Sequence, residues 1–279
     1  MLLIADSGST KADWALLNPG QPVRYVHTQG FNPVVHPQEL FQDEVHKLAH
    51  DLLPGVSPKK IHYYGAGCWD YARKKIISSV LGNVYPQAKV VVMHDLLGAA
   101  RAACGHDPGI ACILGTGSNT CLYDGTDVID NVTNLGFMLG DEGSGSHLGK
   151  AFLRSYFYRE LDEELNQAFE EWTTMDKSTV LDKVYDTDLP NTYLASFTRF
   201  MGEHKGHPLI QKIVFNSFAE FLDRHVRKYD GHLKLPVHFI GSIAFHFQKI
   251  LLAALHERDL TAGGFVQKPI EALAAFHAS

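Results

Sequence analysis

The sequence predicts an α/β protein with two lobes. In the N-terminal part, short apolar or β-branched runs alternate with segments of helical periodicity, which is typical of a sheet covered by helices. In the middle of the chain, a strand-like run, a Gly-rich turn and a second strand-like run repeat the arrangement found at the N-terminus. With 279 residues the chain can form two domains of ordinary size, which we place at residues 1–106 and 107–279.

The first lobe is predicted to begin with three strands, LLIAD, DWALL and VRYVHT, because these runs are apolar and β-branched. A helix is expected over residues 37–53, where apolar side chains recur at helical spacing. The remaining predicted elements are the strand in KIHYYGAG, the helix DYARKKIISSVL, the strand KVVVMHD and the helix LLGAARAAC. The lobe is expected to end between residues 102 and 107.

The second lobe opens with the repeated hairpin, IACILGTGSNTCLYDG. Residues 146–229 are predicted to be mostly helical, with breaks near residues 187–191 and 205–208, where Pro and Gly interrupt the pattern. PVHFIGSIAFHF then predicts one more strand with a Gly turn. Two helices, KILLAALHERD and PIEALAAF, are expected to close the lobe.

Composition excludes several functional classes. The formal net charge is −6 and no Lys/Arg-rich run is present, so nucleic acid is not expected as a partner. No run has the length of a membrane span or the basic start of a signal peptide. The four cysteines lack zinc-ligand spacing and do not indicate a disulfide framework. These features predict a soluble cytoplasmic protein without a membrane partner.

The two Gly-rich turns, at residues 7–11 and 115–118, suggest anion binding. Backbone N–H groups and hydroxyls that converge in such a turn form a cradle for phosphate. A tight hairpin alone could also require these glycines. Two similar turns, one per lobe, favour a clamp: if an internal pseudo-two-fold relates the lobes, the turns would hold a polyphosphate from both sides.

Four segments together resemble the actin-like ATPase and sugar kinase superfamily. DSGSTK and GTGSN resemble its first and second phosphate motifs, and FIGSIA its adenosine motif. NLGFMLGDEGSG resembles the signature of the N-acetylglucosamine kinase branch, which shares a domain with the BadF/BadG-type ATPases that activate benzoyl-CoA and hydroxyacyl-CoA reductases. The resemblance implies two ribonuclease-H-like lobes with a nucleotide cleft between them, and ATP with Mg²⁺ as cofactors.

By this resemblance, the ATP contacts belong to the two phosphate turns and the adenosine motif. At the adenosine motif, a plain turn between a strand and a helix is the alternative interpretation. The predicted ATP-binding residues are Ser7, Gly8, Ser9, Thr10, Lys11, Gly115, Thr116, Gly117, Ser118, Gly241 and Ser242.

Two carboxylates follow apolar strands in the first lobe. Asp6 would repel phosphate unless a cation lay between them, so we predict that it holds magnesium largely through water; the alternative is that it caps the turn. Asp95 ends KVVVMHD, and the resemblance implies that it takes the proton of the attacking hydroxyl. A helix cap for the segment from Leu96 is an alternative that is compatible with this role.

The resemblance also implies the substrate contacts. Asp141 is expected to contact sugar hydroxyls or the hydrated metal. Glu142 is a second substrate candidate, although adjacent side chains diverge and it could instead complement a helix N-terminus. Asn119 and Asn32 resemble the sugar-binding asparagines, and Asp95 would contact the same sugar.

Two positions depart from the kinase branch. Leu135 and His147 stand where that branch carries tryptophan near the sugar pocket, so either the sugar that fits or the ability to bind a sugar at all could differ. The reductase activators bridge two subunits with a cysteine-ligated iron–sulfur cluster. No cysteine pair in this chain stands in an evident bridging loop, which weakens that interpretation.

These observations predict an ATP-dependent sugar kinase acting on the 6-hydroxyl of N-acetylglucosamine or a related amino sugar. The first alternative is an ATPase that couples hydrolysis to lobe motion and activates a partner protein. A second is a nucleotide-binding protein without chemistry. Because relatives are often dimers, a homodimer is expected by analogy.

Overall fold

The computed structural model describes residues 1–187 and 189–278, which contain two five-stranded sheets. The strands are β1 Leu2–Ser7, β2 Lys11–Leu17, β3 Arg24–Gln29, β4 Lys60–Gly65, β5 Lys89–His94, β6 Gly109–Leu114, β7 Ser118–Tyr123, β8 Val128–Asp130, β9 Val237–Ile240 and β10 Ala262–Val266. The helices are α1 Gln38–Lys47, α2 Tyr71–Val84, α3 Asp95–Cys104, α4 Gly136–Leu139, α5 Gly145–Phe157, α6 Glu163–Trp172, α7 Lys177–Tyr185, α8 Pro190–Ser196, α9 Thr198–Glu203, α10 Pro208–Arg224, α11 Ser242–His246, α12 Gln248–His256 and α13 Pro269–Ala278.

The chain divides into two compact units. The first contains Met1–Asp107, the short segment Gly125–Val128 and the chain from Lys268 onward, and the second contains Pro108–Asp124 and Ile129–Gln267. None of the described helices is long and apolar enough to cross a bilayer.

The first unit has the sheet order β3-β2-β1-β4-β5. β1, β4 and β5 are parallel to one another, whereas β2 pairs antiparallel with both β1 and β3. Alternation along β1 sends Leu3 and Ala5 into one core with Phe41, and Ile4 into a second core with Leu273. The strand register aligns the C-terminal ends of the three parallel strands, so the residues that follow them share one edge of the sheet.

The C-terminal helix α13 packs with the first unit. It contacts β1, β2 and α3, and His277 hydrogen-bonds the Tyr64 hydroxyl on β4 at 2.9 Å. The limits drawn from the sequence, 1–106 and 107–279, assigned this helix to the second lobe. In the structure α13 belongs to the first unit, because its apolar residues cover the face of the first sheet beside α3. This packing joins residues far apart in the sequence, so the order of elements along the chain does not reveal it.

The second unit has the sheet order β10-β9-β6-β7-β8. β6 and β7 form the second predicted hairpin, and β9 lies parallel to β6. Helices α5 to α10 surround an aromatic core that includes Phe152, Phe169 and Phe218. The predicted helical region is confirmed; Asp188, within the predicted break at residues 187–191, lies outside the described residues.

Four short elements were not predicted from the sequence: β8, α4, α11 and β10. The last has the sequence AGGFV, and glycine is unfavourable inside strands. Its two glycines lie against His238: the Gly264 N–H donates to His238 Nδ1 at 3.0 Å, and a Cβ on Gly263 would lie 2.7 Å from the same atom. Close packing on a histidine ring therefore explains glycine in this strand.

Candidate active site

The first predicted phosphate turn joins β1 to β2. The Gly8 N–H donates to the Lys11 carbonyl at 3.0 Å and closes the turn. The next two N–H groups, of Ser9 and Thr10, donate to no residue in the described part of the chain. A tight turn with two consecutive unused N–H groups fits an anion. The Lys11 ammonium pairs with Asp13 at 2.7 Å.

Gly30 and Asn32 brace this turn. The Gly30 N–H donates to the Thr10 carbonyl at 3.1 Å, and Asn32 Nδ2 donates to Ser9 Oγ at 3.0 Å. Asn32 Oδ1 also accepts the Val34 N–H at 3.0 Å. Asn32, which was predicted to contact sugar, therefore also holds the phosphate turn through its hydrogen bond to Ser9. Its role in sugar binding stays a prediction.

Gly30→Ala is expected to distort the first turn, since the added Cβ would lie 2.2 Å from the Gly8 carbonyl oxygen, and backbone atoms cannot rotate away. We expect ATP affinity to fall at least about tenfold, because cradle N–H groups must converge on one phosphate. Calorimetric titration with ATP and Mg²⁺ measures this. Gly82→Ala in α2 is the matched control, because nothing lies within 4 Å of its Cβ; unchanged ATP affinity in Gly30→Ala would contradict the prediction.

Asp6 lies next to this turn on β1. Its pKa is raised to about 7, first by burial and then by the negative charges of Asp95 and Asp13, although part of its surface remains accessible. Asp13 is its register partner on β2. No hydrogen bond or ion pair from the described residues reaches the Asp6 carboxylate, so it is not the turn cap that was the alternative.

This carboxylate environment fits a magnesium ion. Mg²⁺ in phosphate sites typically takes one or two carboxylates, and water and phosphate complete its shell. Asp6 supplies an unpartnered carboxylate beside an anion cradle. No group of three or more metal-ligating side chains occurs in residues 1–187 and 189–278.

Asp95 lies at the same edge of the first sheet, at the start of α3. Its Oδ1 accepts the Leu96 N–H at 2.9 Å and lies 2.8 Å from His94 Nδ1. The N-cap residue of α3 is His94 rather than Asp95, which corrects the predicted cap. The half-exposed Trp69 lies beside His94, with a ring separation of 6.4 Å, so an aromatic surface adjoins the predicted base.

The second predicted phosphate turn joins β6 to β7 in the second unit. The Gly115 N–H donates to the Gly117 carbonyl at 3.0 Å, while the N–H groups of Thr116 and Gly117 donate to none of the residues described. The carbonyls of Gly115 and Thr116 accept the first two N–H groups of α5, at 2.8 and 3.0 Å. The helix thus fixes the turn and leaves its two inner amides available.

Asp141 is held against this turn. Its Oδ1 accepts the Ser118 N–H at 3.1 Å, and a Cβ on Gly117 would lie 3.0 Å from its Oδ2. Burial raises the pKa of Asp141, and hydrogen bonds from Ser118 and Asn134 oppose that shift. Asn134 also donates to the Ser118 carbonyl, so it joins β7 to the acidic loop.

Glu142 diverges from Asp141, as predicted for adjacent side chains. Its carboxylate receives His225 Nε2 at 3.1 Å and lies 3.5 Å from Arg224, both at the end of α10. Burial alone would raise the pKa of Glu142, but its own backbone N–H and His225 leave it lowered. These contacts join the acidic loop to α10, and a substrate role for Glu142 stays a prediction.

The predicted adenosine motif adjoins the same turn. Gly241 has a φ of 109°, and a Cβ there would lie 2.5 Å from the Leu114 carbonyl oxygen, so only glycine fits. Ser242 begins α11 and lines a pocket of about 550 Å³ together with residues of α8 and α9. This volume is suitable for a nucleoside.

The structure therefore assembles two sets of predicted residues. In the first unit these are Asp6, Ser7, Gly8, Ser9, Thr10, Lys11, Asn32 and Asp95, and in the second Gly115, Thr116, Gly117, Ser118, Asp141, Gly241 and Ser242. Asn119 is adjacent in sequence, but its Oδ1 accepts N–H groups from Thr120 and Asn131. Sequence reasoning missed the supporting contacts of Gly30, His94 and Asn134. Asn134 lies within NLGFMLGDEGSG, one of the segments that carried the resemblance, and Gly30 lies two residues before the predicted Asn32.

Two α/β units, each with a Gly-rich hairpin beside a carboxylate, define the actin-like ATPase fold class. No family model matches the chain. A Porphyromonas gingivalis structure named "Putative N-acetylglucosamine Kinase" is 39% identical, with a TM-score of 0.92, and the match covers 99% of this chain and 98% of that one. The chain therefore belongs to the N-acetylglucosamine kinase branch of the actin-like ATPase and sugar kinase superfamily.

Two more distant structures share the fold. A Chromobacterium violaceum protein of the same name has 18% identity and a TM-score of 0.71, over 99% of this chain and 98% of that one. The ROK hexokinase of Thermus thermophilus has 14% identity and a TM-score of 0.53, over 99% and 96%. At these identities the likeness concerns the fold alone.

Proposed function

We propose that this protein is an ATP-dependent sugar kinase that phosphorylates the 6-hydroxyl of N-acetylglucosamine or a related amino sugar. The observation that carries the proposal is the hairpin turn in each unit, with two unused N–H groups beside a carboxylate. The name of the 39% identical P. gingivalis protein supports the choice of acceptor.

The phosphate oxygens of ATP would accept the free N–H groups of Ser9 and Thr10 in one turn and of Thr116 and Gly117 in the other. Backbone amides suit this role because they carry partial positive charge at fixed positions. The ribose and adenine would lie near Gly241 and Ser242, where the 550 Å³ pocket opens. Lys11 would exchange its ion pair with Asp13 for a phosphate oxygen.

Asp6 and Asp141 would hold hydrated Mg²⁺ beside the phosphates. When bound, the ion neutralises charge on the phosphate oxygens, which is the main electrostatic demand of phosphoryl transfer. Asp6 suits this place because its carboxylate lies beside the negative charges of Asp95 and Asp13, which the nearby Lys11 ammonium offsets only in part. Asp141 keeps one oxygen on the Ser118 N–H, which orients the other.

Asp95 would act as the general base. The sugar hydroxyl oxygen bonds to the γ-phosphorus as the bond from that phosphorus to the bridging oxygen of ADP breaks, and the hydroxyl proton passes to an Asp95 carboxylate oxygen. The Leu96 N–H holds the carboxylate, so its orientation is set before substrate binds. Asn32, Asn119, Asp141 and Glu142 are the proposed partners of the other sugar groups.

The two departures from the kinase branch have distinct surroundings. His147 Nδ1 lies 2.7 Å from Ser217 Oγ, which also accepts the Gly143 N–H at 3.1 Å, so this histidine supports the acidic loop through α10. Leu135 is largely exposed just before α4. The proposed sugar pocket therefore lacks the two tryptophans of the kinase branch. For this reason the proposal includes amino sugars related to N-acetylglucosamine as acceptors.

The partner-activating ATPase is the alternative that the experiment must separate. All four cysteines, at positions 68, 104, 112 and 121, are buried, which does not favour an intersubunit iron–sulfur cluster. A homodimer and a cytoplasmic location stay predictions.

A coupled assay of ADP release across amino sugars and hexoses tests the proposal. We expect rapid, Mg²⁺-dependent ADP release with N-acetylglucosamine or another amino sugar, and mass spectrometry should find the phosphate on the 6-oxygen. Slow hydrolysis that no sugar stimulates would instead indicate the ATPase. ATP binding with no turnover under any condition would leave a nucleotide-binding protein without chemistry.

A further inference from the structure

A large groove in the second unit lies between α5, α7 and α8, with α4 at its side. Its volume is about 820 Å³, within the range of small-molecule sites. Its floor is apolar, formed by Phe137, Leu153, Phe157, Val180, Val184 and Leu194. None of the residues proposed for ATP, magnesium or sugar lines it.

The same residue pattern borders the groove on two helices. On α5, Lys150 is followed by Leu153 and Phe157, and on α7, Lys177 is followed by Val180 and Val184. Spacings of three, four and seven residues place side chains on one helix face. Each helix therefore presents a cation at the N-terminal end of an apolar stripe.

The charge of the lining has one sign. Lys150, Arg154 and Lys177 line the groove, and no aspartate or glutamate among the described residues does so, in a chain whose formal net charge is −6. Arg154 and Lys177 are exposed and make no ion pair with any described residue. Lys150 Nζ donates to the Phe137 carbonyl at 2.7 Å, and burial lowers its pKa.

Exposed apolar side chains extend the floor to the rim. Met138, Tyr158 and Tyr185 are 73%, 71% and 74% exposed. An apolar surface of this size bordered by cations is complementary to a molecule with an apolar body and a negative head group. If two copies of the chain met symmetrically at this groove, the three cations of one copy would face the same three cations of the other. The resulting charge repulsion disfavours a second chain as the occupant.

We propose that this groove is a binding site for an amphipathic anion, a small molecule with an acyl or similar apolar body and a carboxylate, sulfate or phosphate head. The body lies on the apolar floor, and the head pairs with Arg154 and Lys177 at the rim. Because α4 contributes Phe137 and Met138 and ends shortly before Asp141, the occupant would contact the segment that leads into the acidic loop.

Isothermal titration of the full chain with decanoate tests the site. Decyltrimethylammonium has the same chain length with the opposite charge, and acetate has the head group without the body. We expect saturable binding of one decanoate per chain and no comparable binding of the other two. Equal binding of decyltrimethylammonium would overturn the proposal, because it would show a nonspecific apolar surface. Absence of decanoate binding would overturn it as well.

Variants locate the binding. Arg154→Gln and Lys177→Gln should each weaken decanoate binding about threefold to tenfold, because each removes one charge–charge contact near the surface. Lys212→Gln on α10 is the matched control, since it removes an exposed cation that does not line the groove. Leu181→Asp should abolish binding by placing a carboxylate at the apolar rim.

Each further outcome has one meaning. Unchanged decanoate affinity in the Arg154→Gln, Lys177→Gln double variant would overturn the assignment, and both side chains are exposed, so folding is not at issue. If sedimentation showed a dimer that decanoate and Leu181→Asp both dissociate, a second copy would be the occupant and the proposal would be wrong. The readout is binding, so it does not depend on the proposed kinase activity.

Discussion

Asp95→Asn is expected to lower kcat for sugar phosphorylation by about 10²–10⁴-fold while ATP affinity stays within about twofold of the original. An amide cannot accept the proton that leaves the sugar hydroxyl. It can still accept the Leu96 N–H, which Asp95 Oδ1 accepts at 2.9 Å, so the start of α3 should keep its geometry. The loss should therefore appear in chemistry and not in folding or nucleotide binding.

Steady-state ADP release together with calorimetric binding of ATP separates these effects. Asp51→Asn is the matched control, because Asp51 is an exposed carboxylate in the helical turn that follows α1. Its kcat should equal that of the unmodified protein. Full activity in Asp95→Asn would remove Asp95 from the role of base, and parallel loss of ATP binding would indicate a structural role instead.

The strands and helices were predictable because each is specified by the pattern of apolar residues within its own short segment of sequence. In β1, apolar residues run continuously to Asp6, and both faces of that strand are covered by core, as such a run predicts. The helix boundaries at Ser144 and Pro208 follow from capping and turn chemistry. The placement of α13 was not predictable, because its apolar residues suit either sheet and the choice depends on shape.

The candidate site divides in the same way. The turn glycines could be predicted because a Gly-rich turn between two apolar strands is recognisable within a short stretch of sequence. The divergence of Asp141 and Glu142 follows from their adjacency, but the partners of Glu142 do not: His225 lies on a distant part of the chain and reaches it only through the packing of α10. The contact of Asn32 with Ser9 is likewise a tertiary fact.

Asp6→Asn is expected to abolish magnesium-dependent activity and, at the same time, to stabilise the ligand-free protein above neutral pH. The pKa of Asp6 is raised to about 7 in the folded protein, above its usual value of 3.8. In the folded state the carboxyl thus holds its proton from about pH 4 to pH 7, where the unfolded chain has released it. The stability that this proton confers is full below about pH 4 and is lost as the pH rises through about 7.

Each pKa unit corresponds to about 1.4 kcal/mol, so the folded protein loses at most about 4 kcal/mol above pH 7. The loss is smaller because the Asp6 side chain remains partly accessible to solvent. Asparagine carries no charge and removes this loss. The Tm of Asp6→Asn should therefore exceed that of the unmodified protein at pH 8 and approach it near pH 4, as thermal denaturation at both pH values would show. Asp130→Asn, on the exposed strand β8, should show no such pH-dependent gain.

Mg²⁺ provides the second readout. In the unmodified protein, ADP with Mg²⁺ should raise the Tm at pH 8 more than ADP alone, since a bound cation relieves the repulsion among Asp6, Asp95 and Asp13. In Asp6→Asn the two additions should give the same Tm. A variant that keeps both its activity and its magnesium response would show that the charge on Asp6 has no role in metal binding. If Asp6 is retained for its charge, its replacement should raise stability and abolish activity together. If it were retained for packing, its replacement would instead lower the stability of the protein.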